Sequence, residues 1–135
     1  MSIVAGVSAD HVAIALPADP EVAQTVLHRG RRLARNLGID WVAILIQTTT
    51  RAAQEPARRV SDLVTAAGGR MLCRQADDVA AALVEVSCAE QAQLLVIGVS
   101  RRPRFLRRLI RGTTERLLEA RRPFDVVVAH PGADV

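Results

Sequence analysis

The sequence predicts an α/β fold, a three-layer sandwich in which one five-stranded parallel sheet is covered by helices on both faces, with strand order 3-2-1-4-5. Three observations carry this expectation. Strand-like runs recur at 11–16, 41–47, 70–74, 93–99 and 124–130, and each gap between them holds helical patterning or a helix-capping residue. The connections are short, and strands that alternate with helices across short connections lie parallel with helices packed on the sheet. The runs WVAILIQ and QLLVIGV are apolar throughout, as strands are when both of their faces are covered. At 135 residues the chain has room for one domain with a real core, expected over 11–130 between tails at 1–10 and 131–135.

Each element has a local justification. HVAIAL (11–16) is rich in apolar residues and stops at Pro17, which cannot donate to a strand ladder. In the helix that follows, Asp19 is the N-cap, Pro20 takes the first helical position, Glu21 favours the positive helix end and Gly38 is the stop. Ala23, Val26, Leu27, Gly30, Leu33, Ala34 and Leu37 form its apolar stripe, with Arg31, Arg32 and Arg35 pointing outward. A second helix fits 51–67 and ends at Gly68-Gly69; RMLCR (70–74) is a brief strand; Asp77 or Asp78 then caps a helix through about Gln91. After the fourth strand a short amphipathic helix is implied by Phe105, Leu106, Leu109 and Ile110, a further helix runs from about Thr113 to Ala120, and FDVVVAH is the last strand.

Composition narrows function. Half of the residues are hydrophobic and about a quarter charged, a globular balance. No apolar run approaches the roughly 20 residues of a membrane-spanning helix, and the first residues lack the basic region and apolar core of a signal peptide; a cytoplasmic location is expected. Cys73 and Cys88 are not in a CxxC arrangement and are expected to be buried small hydrophobes. His11 and His130 fall at strand ends and His28 on a helix flank, none with an obvious catalytic partner, and Asp77-Asp78 reads as a helix cap. No catalytic residues and no metal site are expected.

Charge is where the sequence is unusual. All 18 basic residues are arginine. Residues 98–122 hold nine of them against Glu115 and Glu119, a local +7, while the rest of the chain carries nine against twelve acids, or −3. Such a polarised surface steers anions. Six like charges between Arg101 and Arg111 repel one another, which favours an anionic partner over a merely solvated face. In open parallel sheets ligands bind outside the carboxyl ends of the strands where strand order reverses, here between strands 1 and 4. Pro17, Ala18 and Asp19 would form one wall of that crevice and the arginine segment the other. Gly98 ends strand 4, and Gly112, Thr113 and Thr114 open a helix whose free N–H groups suit a phosphate. Nucleic acid is the weaker reading, because single-strand binding uses aromatic platforms and the chain has only Trp41, Phe105 and Phe124.

The stretches RGRRLARNLGIDWVAILIQT, ADDVAAALVEVSCAEQAQLLVIGVSRRPR and LIRGTTERLL resemble the universal stress protein (UspA-like) domains, and among them the version in KdpD potassium-sensor histidine kinases. The resemblance spans about residues 10–130 and implies the adenine nucleotide alpha hydrolase-like sandwich. ATP-binding members of that family carry G-x2-G-x9-G-(S/T) at the fourth strand. Here Gly98, Gly112 and Thr113 match it, Arg101 stands in place of the second glycine, the gap to Gly112 is one residue longer, and Pro17 replaces the aspartate at the end of strand 1. The resemblance thus implies a nucleotide or phosphate site at Ala18, Asp19, Gly98, Ser100, Gly112, Thr113 and Thr114, for ATP, AMP or a cyclic dinucleotide, with weak or absent ATP binding. It implies more strongly a non-catalytic regulatory module in potassium or osmotic-stress signalling. In that role Arg101, Arg102, Arg104, Arg107, Arg108 and Arg111 would dock an acidic partner, a stress protein or kinase segment. A homodimer across residues 125–129 is a further implication, since DVVVA is expected to be an edge strand.

Overall fold

The computed structural model describes residues 11–47, 54–98 and 124–129. Within them the order is β1 (His11–Ala15), α1 (Pro20–Leu37), β2 (Asp40–Gln47), α2 (Gln54–Ala66), β3 (Met71–Gln75), α3 (Val79–Ala89), β4 (Ala92–Gly98) and β5 (Asp125–Ala129). The strands form one sheet in the order β3-β2-β1-β4-β5, and every neighbouring pair is parallel. The expected fold class and strand order are therefore found, with strand ends within a residue or so of expectation. The start of the helix proposed for 51–67, both helices proposed between 104 and 120, and the two tails lie outside the described residues.

Alternation along the strands divides the core into two layers. Val12, Ile14, Leu16, Ala43 and Val96 face α1 and α2, joined by Val26, Leu27, Ala34, Val60 and Val64. Ala13, Val42, Ile44, Leu95 and Ile97 face the other way, against Leu83 and Val86 of α3 and against Phe124. This is why β2 and β4 read as unbroken apolar runs: both of their faces are covered.

Helix ends explain the connections. Asp19 is extended (φ −137°) and its carboxylate accepts the Glu21 N–H at 3.2 Å; Asp78, rather than Asp77, caps α3 by accepting the Ala81 N–H at 3.1 Å. At the other end of α1, Gly38 adopts φ 70° while its N–H reaches the Arg35 carbonyl and that of Ile39 the Ala34 carbonyl. Gly68 (φ 79°) ends α2 in the same way, with Gly68 bonded to Thr65 and Gly69 to Val64. Both are the left-handed terminal motif that glycine permits without strain. The two stops send β2 and β3 back under their own helices.

Three expectations are corrected. Cys73 and Cys88 are exposed: β3 is an edge strand whose residues 73–75 are all open to solvent, and Cys88 lies on the outer side of α3 beside the fully buried Ser87. Leu37 is 48% exposed because it is the last residue of α1 and overhangs the end of the stripe that it was expected to complete. Arg31 does not point freely outward but is half-buried, with its guanidinium 5.9 Å from the centre of the Trp41 ring. His11 plays a structural part, with its Nδ1 3.0 Å from the Glu90 carbonyl oxygen.

Helix and sheet approach closely at Gly30 of α1, where an added Cβ would run into the side chain of fully buried Ile14. Alanine in a helix is favoured over glycine by about 1 kcal/mol, whereas overpacking a core typically costs about 1–3 kcal/mol. Steric cost wins here, because Ile14 is enclosed on every side. Gly30→Ala is expected to lower unfolding free energy by about 1–2 kcal/mol in urea titration; a net stabilisation would show that Ile14 can move aside.

Candidate functional site

The crevice is built by the reversal of strand order. β1 has β2 on one side and β4 on the other, and its chain turns into α1 while that of β4 runs on past Gly98 in sequence. The last registered pair between them is Ile14 with Val96, so their carboxyl ends emerge side by side. Leu16 donates its N–H to the Ile44 carbonyl at 2.8 Å, which ties the end of β1 to β2 before Pro17 ends the ladder. The wall formed by Pro17, Ala18 and Asp19 is half-buried. Gly98, level with Ala129 of β5, stands on the opposite side.

The structure brings Ala18, Asp19 and Gly98 to this carboxyl edge as expected. Ser100, Gly112, Thr113 and Thr114, together with Arg101, Arg102, Arg104, Arg107, Arg108 and Arg111, lie outside the described residues. Two features of the described wall alter how its residues are read. The Asp19 carboxylate is engaged in capping α1, and its backbone carbonyl accepts the Ala23 N–H at 2.8 Å, so Asp19 has a structural duty whatever else it meets. Gly98 has one too. A Cβ there would collide with Cγ2 of Val26, which is itself 1% exposed. The missing side chain therefore lets α1 close onto the end of β4, and a glycine at this point does not by itself indicate a phosphate.

Sequence reasoning missed a second cluster, at the opposite, amino edge of the sheet. Glu90, which caps the end of α3, accepts Arg70 Nη2 on Oε1 at 2.8 Å while its carbonyl meets His11. One residue thus links the starts of β1 and β3. Nearby, Trp41 is packed so closely on Gly69 that a Cβ there would overlap the ring. The doubled glycine at 68–69 was the available signal: one glycine supplies the positive φ and the next supplies space. Among the described residues no three His, Cys, Asp or Glu side chains converge as a metal set, and no helix is long and apolar enough to cross a membrane.

The architecture is that of the universal stress proteins. A universal stress protein crystallised in complex with cAMP matches 90% of this chain and 96% of its own with a TM-score of 0.60 and 18% identity. A universal stress protein from Archaeoglobus fulgidus matches 88% and 96% with a TM-score of 0.57 and 17% identity. In sequence the chain is similar to sensor protein KdpD from two strains of Mycobacterium tuberculosis, 30% identical over 128 residues and covering 92% of this chain. It spans 15% of the length of those relatives. The chain thus has the fold of the universal stress proteins and is similar in sequence to one segment of KdpD. No protein-family model matches it.

If Gly98 serves packing, its cost should depend on Val26. Gly98→Ala is expected to destabilise by about 1–3 kcal/mol, and Val26→Ala, although harmful alone, should recover part of that loss in the double variant. Additive losses, measured as a double-mutant cycle in denaturant, would remove the packing explanation.

Proposed function

We propose that the chain is a non-catalytic signalling domain of universal stress protein type that docks an acidic protein partner through its arginine-rich segment. The observation that carries this reading is where charge falls: nine arginines against two glutamates across residues 98–122, entered from Gly98 at the edge where strand order reverses. Guanidinium groups pair with carboxylates through two parallel hydrogen bonds. Each exposed pair contributes only about 0–1 kcal/mol, so affinity requires several together and falls steeply with salt. Similarity to a segment of KdpD supports a regulatory role in potassium or osmotic-stress signalling, with stress proteins or neighbouring kinase segments as the partner class.

Reversing Arg104, Arg107 and Arg108 to glutamate is expected to abolish binding to acidic stress proteins at low salt. The melting temperature should stay within about 3 °C, because surface substitutions typically cost about 0.5 kcal/mol or less. Unchanged binding with unchanged salt dependence overturns the reading, as does unfolding of the variant.

A second reading, nucleotide binding at the same edge, is favoured by the structural neighbour that holds cAMP. Against it stand Arg101 and Pro17 at positions where ATP-binding relatives carry glycine and aspartate, and the packing role of Gly98. Calorimetry with ATP, AMP, cAMP and a cyclic dinucleotide is expected to show no binding tighter than millimolar. A micromolar affinity that Gly112→Val abolishes, by blocking backbone approach, would establish the nucleotide reading instead.

A further inference from the structure

We propose that the outer face of α1 is a second docking surface, separate from the arginine segment, which takes an acidic segment of a partner protein on a row of guanidinium groups anchored at Trp41. From Val22 to Ile39 the chain carries Arg29, Arg31, Arg32 and Arg35 and no acidic residue. His28, Arg32 and Arg35 share the solvent face at i, i+4 and i+7 and all three are exposed, a row rising about 10 Å along the helix axis. Neither Arg32 nor Arg35 has an ion-pair partner among the described residues.

Elsewhere among the described residues, on α2 and around β3, arginines stand beside acids. On α2 the outward residues Glu55, Arg58, Arg59 and Asp62 are spaced i, i+3, i+4 and i+7, which neutralises that face within itself. Arg70 and Arg74 are paired with Glu90 and Glu85 at 2.8 and 2.7 Å. Cations near a helix C-terminus complement the helix dipole, which accounts for Arg35 in the last turn but not for Arg31 and Arg32 a turn earlier. Among the described residues, Arg32 and Arg35 on the α1 face stand without such acids beside them.

Arg31 gives that face a fixed point. Its guanidinium lies 5.9 Å from the centre of the half-buried Trp41 ring, and the ring in turn is seated against Gly69. A guanidinium held over an aromatic ring keeps its N–H edge free to fork onto a carboxylate, and its prior ordering removes entropy cost from binding. The occupant follows from charge and from what the helix has already used. Val22, Ala23, Val26 and Leu27 are buried on the sheet, so α1 has no free apolar face to insert into a membrane. Trp41 is covered by Arg31 and Gly69 rather than left open as a stacking platform for bases. A protein segment with carboxylates at successive turns or alternate strand positions fits.

The α1 face and Trp41 can be probed separately from the arginine segment. Trp41 is the single tryptophan, and its emission reports on Arg31 and its surroundings. Titration of the full chain with a synthetic glutamate-rich helical peptide is expected to change Trp41 emission. R32E/R35E should weaken that binding roughly tenfold or more, and R32Q/R35Q by a smaller factor, as two charge-assisted contacts are reversed or merely removed. R31K, which keeps charge but loses the fork, should weaken it about threefold. R104Q/R107Q/R108Q should leave the Trp41 response in place. The proposal is overturned if R32E/R35E binds like the parent, if the response is lost in the R104Q/R107Q/R108Q variant instead, or if phosphatidylglycerol vesicles or a single-stranded oligonucleotide bind α1 more tightly than the peptide does.

Discussion

The seating of α1 on the sheet is the constraint on which the rest of the structure depends. Two glycines set it from opposite sides: Gly30 on the helix gives way to Ile14 of β1, and Gly98 on β4 gives way to Val26 of the helix. With both in place α1 lies across the junction of β1 and β4, the pair between which strand order reverses. Interiors are packed to near-crystalline density, so a single methyl at either point must displace a neighbour. The same contacts position the Asp19 cap at one end of the helix and carry Arg31 to Trp41 at the other.

The fold was largely legible in the sequence because its signals are local. Asp19-Pro20-Glu21 and Gly38 specify the ends of α1 through hydrogen bonds made within a few residues, and the unbroken apolar runs of β2 and β4 report burial on both faces. What was illegible depends on distant neighbours. VAAALVEVSCA is apolar nearly all round, so nothing in it says that Ser87 turns inward and Cys88 outward. A glycine can be required for backbone angle, for approach to a ligand or for packing, and only the position of Val26 distinguishes these at Gly98. The site was legible in part for the same reason: its described wall follows from topology, while the duties of its residues follow from contacts.

Charge in this domain is arranged by layer rather than by simple total. Glu85 and Glu90 on the α3 side pair with Arg74 and Arg70, and α2 carries equal numbers of outward acids and arginines, whereas Arg32 and Arg35 of α1 have no ion-pair partner among the described residues. A net +4 averages over these unlike surfaces. Association rates respond to the local field, so two partners could be attracted to different faces of the same small domain without competing.

The pairing of β1 with β4 joins His11 to Ala92 and Ile14 to Val96, the longest-range strand contact in the sheet. Each of the other three pairings joins strands separated by a single connection, and loop closure penalises distant partners more. The β1-α1-β2-α2-β3 portion therefore has the shorter search, and the seam between β1 and β4 carries the larger closure cost. Since α1 needs Gly98 beneath Val26 to settle fully, the carboxyl-edge crevice exists only where that seam is closed. A partner that recognises this edge distinguishes finished chains from those still completing their fold.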